Sequence, residues 1–136
     1  MPIVHIEDDA DDQNLIQLAL TAASIANPVR FFSDGHQVLD YLRTTKEQPL
    51  VILCDVQMPG MNGFELRHHL EADESLRRKA VPFVFFSTWA DQDLLNKAYQ
   101  GTIQGYHRKG TTFNDLKEEL ALIIAYWKRC LHPKSV

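Results

Sequence analysis

Leu50-Val51-Ile52-Leu53-Cys54-Asp55 is a run of five apolar residues closed by a carboxylate. Uninterrupted hydrophobicity over this length, without alternating polar residues, is typical of a strand buried on both faces of a parallel sheet. Because helices cover both faces of such a sheet, the run predicts an α/β domain. Asp55 stands where the strand would end, at the edge of the sheet where open α/β folds bind ligands.

Short apolar runs alternate with longer segments of helical periodicity on both sides of this stretch. The predicted strands are Ile3–Ile6, Val29–Phe32, Leu50–Cys54, Val81–Phe86 and Gly105–Arg108. The predicted helices are about Asp11–Ile25, Gly35–Thr45, Gly63–Glu71, Asp91–Gln100 and Thr112–Leu131. Asp34 and Asp91 are expected as N-caps. Right-handed crossovers leave few topologies for such a series, and a flavodoxin-like (βα)5 fold, with a doubly wound parallel five-stranded sheet in the order 2-1-3-4-5, is the commonest that fits.

Length and charge narrow the class of protein further. The chain has 136 residues and a formal net charge of −4. This length fits one domain over residues 1–136, without room for a second. The basic residues are scattered, so we expect no nucleic-acid binding. No apolar run approaches the ~20 residues needed to cross a membrane and no leader precedes the first strand, so we expect a cytoplasmic protein. Cys54 and Cys130 form no CxxC motif and are interpreted as structural thiols.

Carboxylates follow two strands that are neighbours in the expected order. Glu7 and Asp8 follow the first predicted strand, and Asp55 follows the third. Acidic groups this close raise one another's pKa or require a cation, and an oxygen-lined site suits Mg²⁺. Acidic residues after a strand are also common as solvated loop residues or helix N-caps. We apply that second interpretation to Asp9, Asp11 and Asp12.

A hydroxyl and an ammonium group are expected at the same edge of the sheet. Ser87 follows the fourth predicted strand, and Lys109 follows the fifth. Each has an ordinary explanation alone, since serine often caps a turn and lysine is usually a surface charge. Together with Asp55 and a metal ion they provide what a phosphoryl group requires, namely charge neutralisation and hydrogen-bond donors.

With these residues in place, the chain resembles the response-regulator receiver family over essentially its whole length. The matching stretches are IVHIEDD (3–9), LVILCDVQMPGMNG (50–63), PFVFFS (82–87) and GYHRK (105–109). The resemblance implies that Asp55 is the phosphoacceptor and that Glu7 and Asp8 form the acidic pair that holds Mg²⁺. It further implies direct metal contacts from Asp8 and Asp55, a contact from Glu7 through water, and a main-chain carbonyl ligand from Gln57.

The resemblance also assigns a switch. Ser87 is expected to turn towards the phosphoryl group, Lys109 to neutralise it, and Tyr106 to change rotamer with the switch. The implied donor is a histidine kinase or a phosphotransfer protein, and the protein itself is not expected to be an enzyme. Two residues depart from the family pattern: Gly110 replaces the usual proline after the lysine, so the following loop and Lys109 are expected to differ, and the bulky Trp89 stands two residues after Ser87.

Other functions fit the sequence less well. An aspartate-nucleophile phosphohydrolase would need a second acid where Gln57 stands, and it would need a cap domain. A flavin carrier would need an anion cradle instead of the acidic residues after the first strand. The GxxxxGK motif of P-loop nucleotidases is absent, and the histidines lack metal-ligand spacing. A pseudo-receiver that binds partners without phosphorylation remains an alternative, supported by Gly110.

The last predicted helix suggests an output surface. Its apolar residues Phe113, Leu116, Leu120, Ile123, Ile124, Trp127 and Leu131 form one stripe that is expected to pack on the sheet. Leu122 and Tyr126 lie away from that stripe. Isolated exposed apolar residues are common, but these two also suit a homodimer or partner contact on the face of the fourth helix, fifth strand and last helix.

Overall fold

The protein forms a five-stranded parallel sheet in a computed structural model, which describes residues 1–58, 60–88 and 90–133. The strand order is β2-β1-β3-β4-β5, as the sequence predicts. The strands are β1 (Ile3–Ile6), β2 (Val29–Phe32), β3 (Val51–Cys54), β4 (Phe83–Ser87) and β5 (Gly105–Arg108). The helices are α1 (Ala10–Ala22), α2 (Gly35–Thr44), α3 (Gly63–Ala72), α4 (Glu74–Lys79), α5 (Gln92–Ala98) and α6 (Phe113–Arg129). Among the described residues, no helix is long and apolar enough to span a membrane.

Apolar cores lie on both faces of the sheet, as expected when a strand such as β3 is wholly buried. One core joins the sheet to α2, α3, α4 and α5. The other joins it to α1 and α6. His5 of β1 is fully buried in the sheet with its ring nearly perpendicular to that of Phe31, and neither ring nitrogen has a hydrogen-bond partner among the described residues. Burial, followed by the charge of Lys109, lowers the pKa of His5 to about 3.

Local capping explains where the helices begin and end. Asp34 and Asp91 are N-caps, as predicted, and Asp9 accepts hydrogen bonds from the N–H groups of Asp11 and Asp12 at the start of α1. α1 ends at Ala22, three residues before the predicted end at Ile25. The backbone reverses at Ser24, whose φ is 59°, and the N–H of Ile25 bonds to the carbonyl of Leu20.

The structure adds one helix and corrects two further sequence predictions. No pattern in the sequence predicts α4, because its six residues contribute a single buried side chain, Leu76, and therefore show no periodicity. β4 begins at Phe83 and not at Val81, since the intervening Pro82 has no N–H group for the ladder. In the predicted apolar stripe of α6, Phe113 is 45% exposed and Leu131 is 81% exposed, because they lie at the first residue of the helix and beyond its last residue.

Candidate functional site

The carboxyl ends of four parallel strands bring the predicted polar residues to one edge of the sheet. Glu7 directly follows β1, Asp55 follows β3, Ser87 ends β4 and Lys109 follows β5. Pairing continues beyond the strands, since the N–H of Asp55 donates to the carbonyl of Ile6 at 3.2 Å and that of Lys109 to the carbonyl of Ser87 at 3.0 Å. The positions of these side chains are therefore fixed by the sheet itself.

Three hydrogen-bond donors among the described residues contact the carboxylate of Asp55. Lys109 Nζ lies 3.2 Å from Asp55 Oδ2, and the hydroxyl of Ser87 donates to Oδ1 at 3.3 Å. The main-chain N–H of Gln57 donates to the same Oδ1 at 3.1 Å. The Asp55 side chain is only 15% exposed, and its carboxylate is oriented by these protein groups.

Glu7 and Lys109 form the most buried ion pair of the site. Lys109 Nζ lies 2.5 Å from Glu7 Oε2, and the two side chains are 9% and 2% exposed. Burial raises the pKa of Glu7 to about 7, against the opposing effect of Lys109. Burial also acts to lower the pKa of Lys109, but Asp55 and Glu7 outweigh it and raise that pKa. Lys109 therefore remains charged between two acids and is the cation that balances them.

The two remaining predicted metal ligands are more exposed. Asp8 lies at the solvent-facing end of β1, next to Glu7, and Gln57 is exposed beside Asp55. Within residues 1–58, 60–88 and 90–133, no three or more His, Cys, Asp or Glu side chains are grouped so that they could hold a metal ion. The oxygen donors nevertheless fit Mg²⁺, since this ion is commonly held by one or two carboxylates with water completing its shell. The Mg²⁺ site of Glu7, Asp8, Asp55 and Gln57 stays a prediction.

Tyr106 lies beside Ser87, between the site and the α5 side of the sheet. Its ring is tilted against Phe85, with 5.8 Å between the centroids. Burial raises the pKa of the Tyr106 hydroxyl, and a hydrogen bond with Ser87 acts in the opposite direction. The two residues expected to form the switch are therefore in contact.

Gln13 is a member of the site that the sequence did not indicate. Its side-chain amide donates to the main-chain carbonyl of Glu7 at 2.7 Å and so ties α1 to the end of β1. A glutamine in the first turn of a helix carries no signal of such a contact. Trp89 lies outside the described residues.

Gly110 sets the path of the backbone that follows Lys109. Its φ is +80°, in the left-handed region that proline cannot adopt, so this loop follows a path closed to the usual proline. A β-carbon on Gly110 would lie 2.7 Å from Cβ of Asp115. Lys109 still reaches Glu7 and Asp55, so the departure from the family pattern does not remove the lysine from the site.

Comparison with known proteins adds relatives of the same size. The chain is 35% identical over 120 residues to the chemotaxis protein CheY-3 of Vibrio cholerae, covering 88% of each chain. It is 30% identical over 129 residues to the probable methanogenesis regulatory protein FilR2 of Methanothrix harundinacea, covering 92% of this chain and 82% of that one. Its fold matches the phosphorylated cyanobacterial phytochrome response regulator RcpA with a TM-score of 0.86, at 27% identity and over 98% of both chains.

A family-level match covers most of the chain as well. Residues 3–121 match the response regulator receiver domain. This match includes every strand and all four strand ends that form the site. The sheet order, the acidic and basic residues at its carboxyl edge and these relatives agree, and the chain belongs to the response regulator receiver domain family.

Proposed function

We propose that this protein is a stand-alone response regulator of a two-component system and that Asp55 accepts a phosphoryl group from a histidine kinase or phosphotransfer protein. The observation that carries the proposal is the environment of Asp55. Its carboxylate lies between the Lys109 ammonium at 3.2 Å and the Ser87 hydroxyl at 3.3 Å, at the edge of the sheet that partners can reach. The similarity to RcpA, which was solved in a phosphorylated form, supports the same chemistry.

The reaction is a transfer between two nucleophiles. A carboxylate oxygen of Asp55 attacks phosphorus, a P–O bond forms, and the P–N bond of the phosphohistidine breaks so that the imidazole leaves and takes up a proton. Lys109 and Ser87 already contact the two oxygens of Asp55, and their donors are therefore at hand for the oxygens of the incoming group. Water later hydrolyses the acyl phosphate and restores Asp55.

A divalent cation belongs to the proposed reaction. Asp8 and Asp55, the main-chain carbonyl of Gln57 and, through water, Glu7 would hold Mg²⁺. When bound, the ion supplies positive charge that offsets the repulsion between the phosphoryl oxygens and the acidic site. Burial is the main cause of the raised pKa of Glu7, and a cation bound beside Glu7 would favour its charged form.

Phosphorylation would act on the Ser87–Tyr106 contact. The added group brings about −1.5 to −2 charges and three acceptor oxygens, which compete with Tyr106 for the Ser87 hydroxyl. A change in Tyr106 would then alter the face of α5, β5 and α6. Leu122 and Tyr126 of α6 are 62% and 61% exposed on that face and are the proposed contact for a homodimer or target protein.

Labelling with small phosphodonors tests the function and the metal together. With acetyl phosphate or phosphoramidate and Mg²⁺, the intact protein is expected to gain one phosphoryl group. Asp8→Ala should reduce this labelling strongly because it removes a hard ligand. Asp11→Ala, which removes an exposed carboxylate one turn away in α1, is the matched control and should label like wild type.

Two outcomes would count against the proposal. If no phosphodonor labels the protein in the presence of any divalent cation, Asp55 is not a phosphoacceptor and the protein acts as a pseudo-receiver. If Asp8→Ala labels as well as Asp11→Ala, the metal ligands are wrongly assigned. No feature of the site favours the phosphohydrolase, since Gln57 stands where its second acid would be.

A further inference from the structure

A cavity of about 390 Å³ lies at the end of the sheet opposite Asp55. Its apolar floor is formed by Leu70 of α3, Ala80 and Val81 after α4, and Phe83 at the start of β4. The cavity is within the size range of small-molecule sites, roughly 300–1,000 Å³. It is separated from the phosphoacceptor site by the length of β4, so the family's known chemistry does not account for it.

The cavity lies at the start of β4 and beside the loop that joins α5, a helix of only seven residues, to β5. Side chains of α3 contact the end of α5 and this loop. Arg67 Nη1 donates to the carbonyl of Ala98 at 2.5 Å, and a carboxylate oxygen of Glu71 accepts from the N–H of Thr102. A β-carbon on Gly101 would lie within 2.6 Å of the Arg67 guanidinium, so glycine is what lets the arginine lie against this loop. The polar rim is therefore a fixed part of the fold.

Several hydrogen-bond donors on the polar rim of the cavity, formed by Arg67, Glu71, Arg77, Thr102 and Gln104, have capacity for a further partner. Arg67 Nε is buried and has no hydrogen-bond partner in the described part of the chain, with Glu71 3.6 Å away. Among the described residues, Arg77 forms an ion pair with Glu74 alone, whose side chain is 92% exposed, and such surface pairs hold a guanidinium weakly. Gln104 uses its carbonyl oxygen to accept from the N–H of Phe83 at 2.6 Å, which leaves its amide donors for another group.

The charges of the rim select the ligand. Two guanidinium groups, Arg67 and Arg77, face one carboxylate, Glu71, which already accepts from Thr102. The side chains that line the cavity therefore include one more cation than anion, above an apolar floor. Glu74, which pairs with Arg77 at 3.4 Å, lies outside this lining and is 92% exposed. Guanidinium groups bind carboxylates with two parallel hydrogen bonds. We propose that this cavity binds a small organic carboxylate with an apolar body, the carboxylate at Arg77 and Gln104 and the body on the floor.

Benzoate is the probe, followed through amide chemical shifts in two-dimensional NMR of the full chain. Saturable shifts are expected at Leu70, Thr102 and Gln104, with none at Gln57 and Ser87, and with a dissociation constant of about 1 mM or below, as for a small fragment. Acetate lacks the apolar body and benzyl alcohol lacks the charge. Each should bind at least about tenfold more weakly than benzoate.

Variants make the test specific. Arg77→Ala should weaken benzoate binding about tenfold or more, since one charge-assisted contact is lost. Arg78→Ala is the matched control, because Arg78 is the exposed neighbouring arginine of α4 and does not line the cavity. It should change affinity less than about twofold. Ala80→Met should fill the floor and abolish binding, while both arginine variants are expected to keep the wild-type melting temperature.

Three results would overturn the proposal. Shifts that fail to saturate, equal loss in Arg77→Ala and Arg78→Ala, or unchanged binding in Ala80→Met would each show that benzoate does not occupy this cavity. Because none of these measurements involves phosphorylation, their outcome is independent of the function proposed for Asp55.

Discussion

Lys109 is the residue on which the charge balance of the site depends. Its ammonium contacts both Glu7 and Asp55, and the lysine is itself buried. A lysine has a long flexible stem and can reach several acceptors, so its position relies on the backbone that follows it. In this chain that backbone contains Gly110 at a positive φ.

Gly110→Ala is expected to destabilise the fold more than Gly60→Ala. Both glycines have positive φ, +80° and +72°, and alanine there costs about 1 kcal/mol. Only at Gly110 would the new β-carbon meet another atom, Cβ of Asp115 at 2.7 Å, which adds about 1–3 kcal/mol of overpacking. Urea denaturation of both variants measures the difference. Equal losses of unfolding free energy would show that Asp115 yields without cost.

His5 is expected to make the fold sensitive to acid. Its pKa is about 3 in the folded protein against 6.5 as the ordinary value, so the unfolded chain binds more protons between these limits. Stability contributed by neutral His5 is present above about pH 6.5 and is lost as the pH falls towards 3, at up to about 1.4 kcal/mol per pH unit. His5→Leu should remove this dependence.

The comparison requires unfolding free energies at several pH values between about 4 and 7. Wild type should lose stability relative to His5→Leu as the pH falls, whereas the exposed His36→Gln variant should follow wild type. Parallel curves for wild type and His5→Leu would contradict the burial of a neutral histidine in β1.

Among the elements, α4 shows a role for a short helix that periodicity could not detect. Lys79 at its end donates to the main-chain carbonyls of Leu42 and Thr45 at 2.9 and 3.0 Å, and so binds the end of α2. The main-chain carbonyls at the end of a helix have no partner within the helix and need hydrogen-bond donors from elsewhere. This contact joins two elements that are far apart in the sequence.

Lys79→Met should lower the unfolding free energy by about 1–2 kcal/mol, because two charge-assisted hydrogen bonds to α2 are lost. The exposed Lys128 of α6 provides the control, and Lys128→Met should stay within about 0.5 kcal/mol of wild type. Chemical denaturation distinguishes the two. A Lys79→Met protein as stable as the control would mean that water replaces the lysine at no cost.

The strands and the strand-end residues could be predicted from the sequence for a physical reason. Continuous burial leaves an apolar run such as Val51–Cys54, and parallel pairing forces the residues after such runs to converge. The ion pair of Lys109 with Glu7 could not be predicted from the sequence, since it depends on the burial of Glu7. The exposure of the Phe113 side chain could not be predicted either, because it depends on the residue at which α6 begins.

α6 also carries the proposed contact surface. Leu122 and Tyr126 are exposed beside a pocket of about 300 Å³ that includes His107, Ile123 and Trp127. To take association from mostly absent to mostly complete, phosphorylation must favour the competent state by about 5.5 kcal/mol. We expect sedimentation to show association of wild type that increases with phosphodonor, and Leu122→Glu/Tyr126→Glu to lack it.

The control for that experiment is another pair of exposed apolar residues. Leu15 and Leu18 on α1 are 45% and 59% exposed, on a different helix. Leu15→Glu/Leu18→Glu should associate like wild type. If the α6 variant also associates like wild type, the face of α5, β5 and α6 is not where copies of this chain meet.

For the whole molecule, the sheet separates two sites. The carboxyl ends of its strands hold Glu7, Asp55, Ser87 and Lys109, and the opposite end holds the cavity lined by α3, α4, the start of β4 and the loop before β5. One switch residue, Tyr106, lies on β5, the strand whose preceding loop supplies Thr102 and Gln104 to the cavity. The central claim concerns the first of these sites, and within it a single carboxylate.

The most direct measurement identifies the residue that carries the phosphoryl group. Protein treated with acetyl phosphate and Mg²⁺ is reduced with borohydride, which converts an aspartyl phosphate to homoserine, and the peptides are read by mass spectrometry. Homoserine is expected at position 55 alone, and Asp55→Asn should yield none. Homoserine at Asp8 or Asp9 in wild type, or a phosphoryl group that persists in Asp55→Asn, would contradict the assignment of Asp55 as the phosphoacceptor.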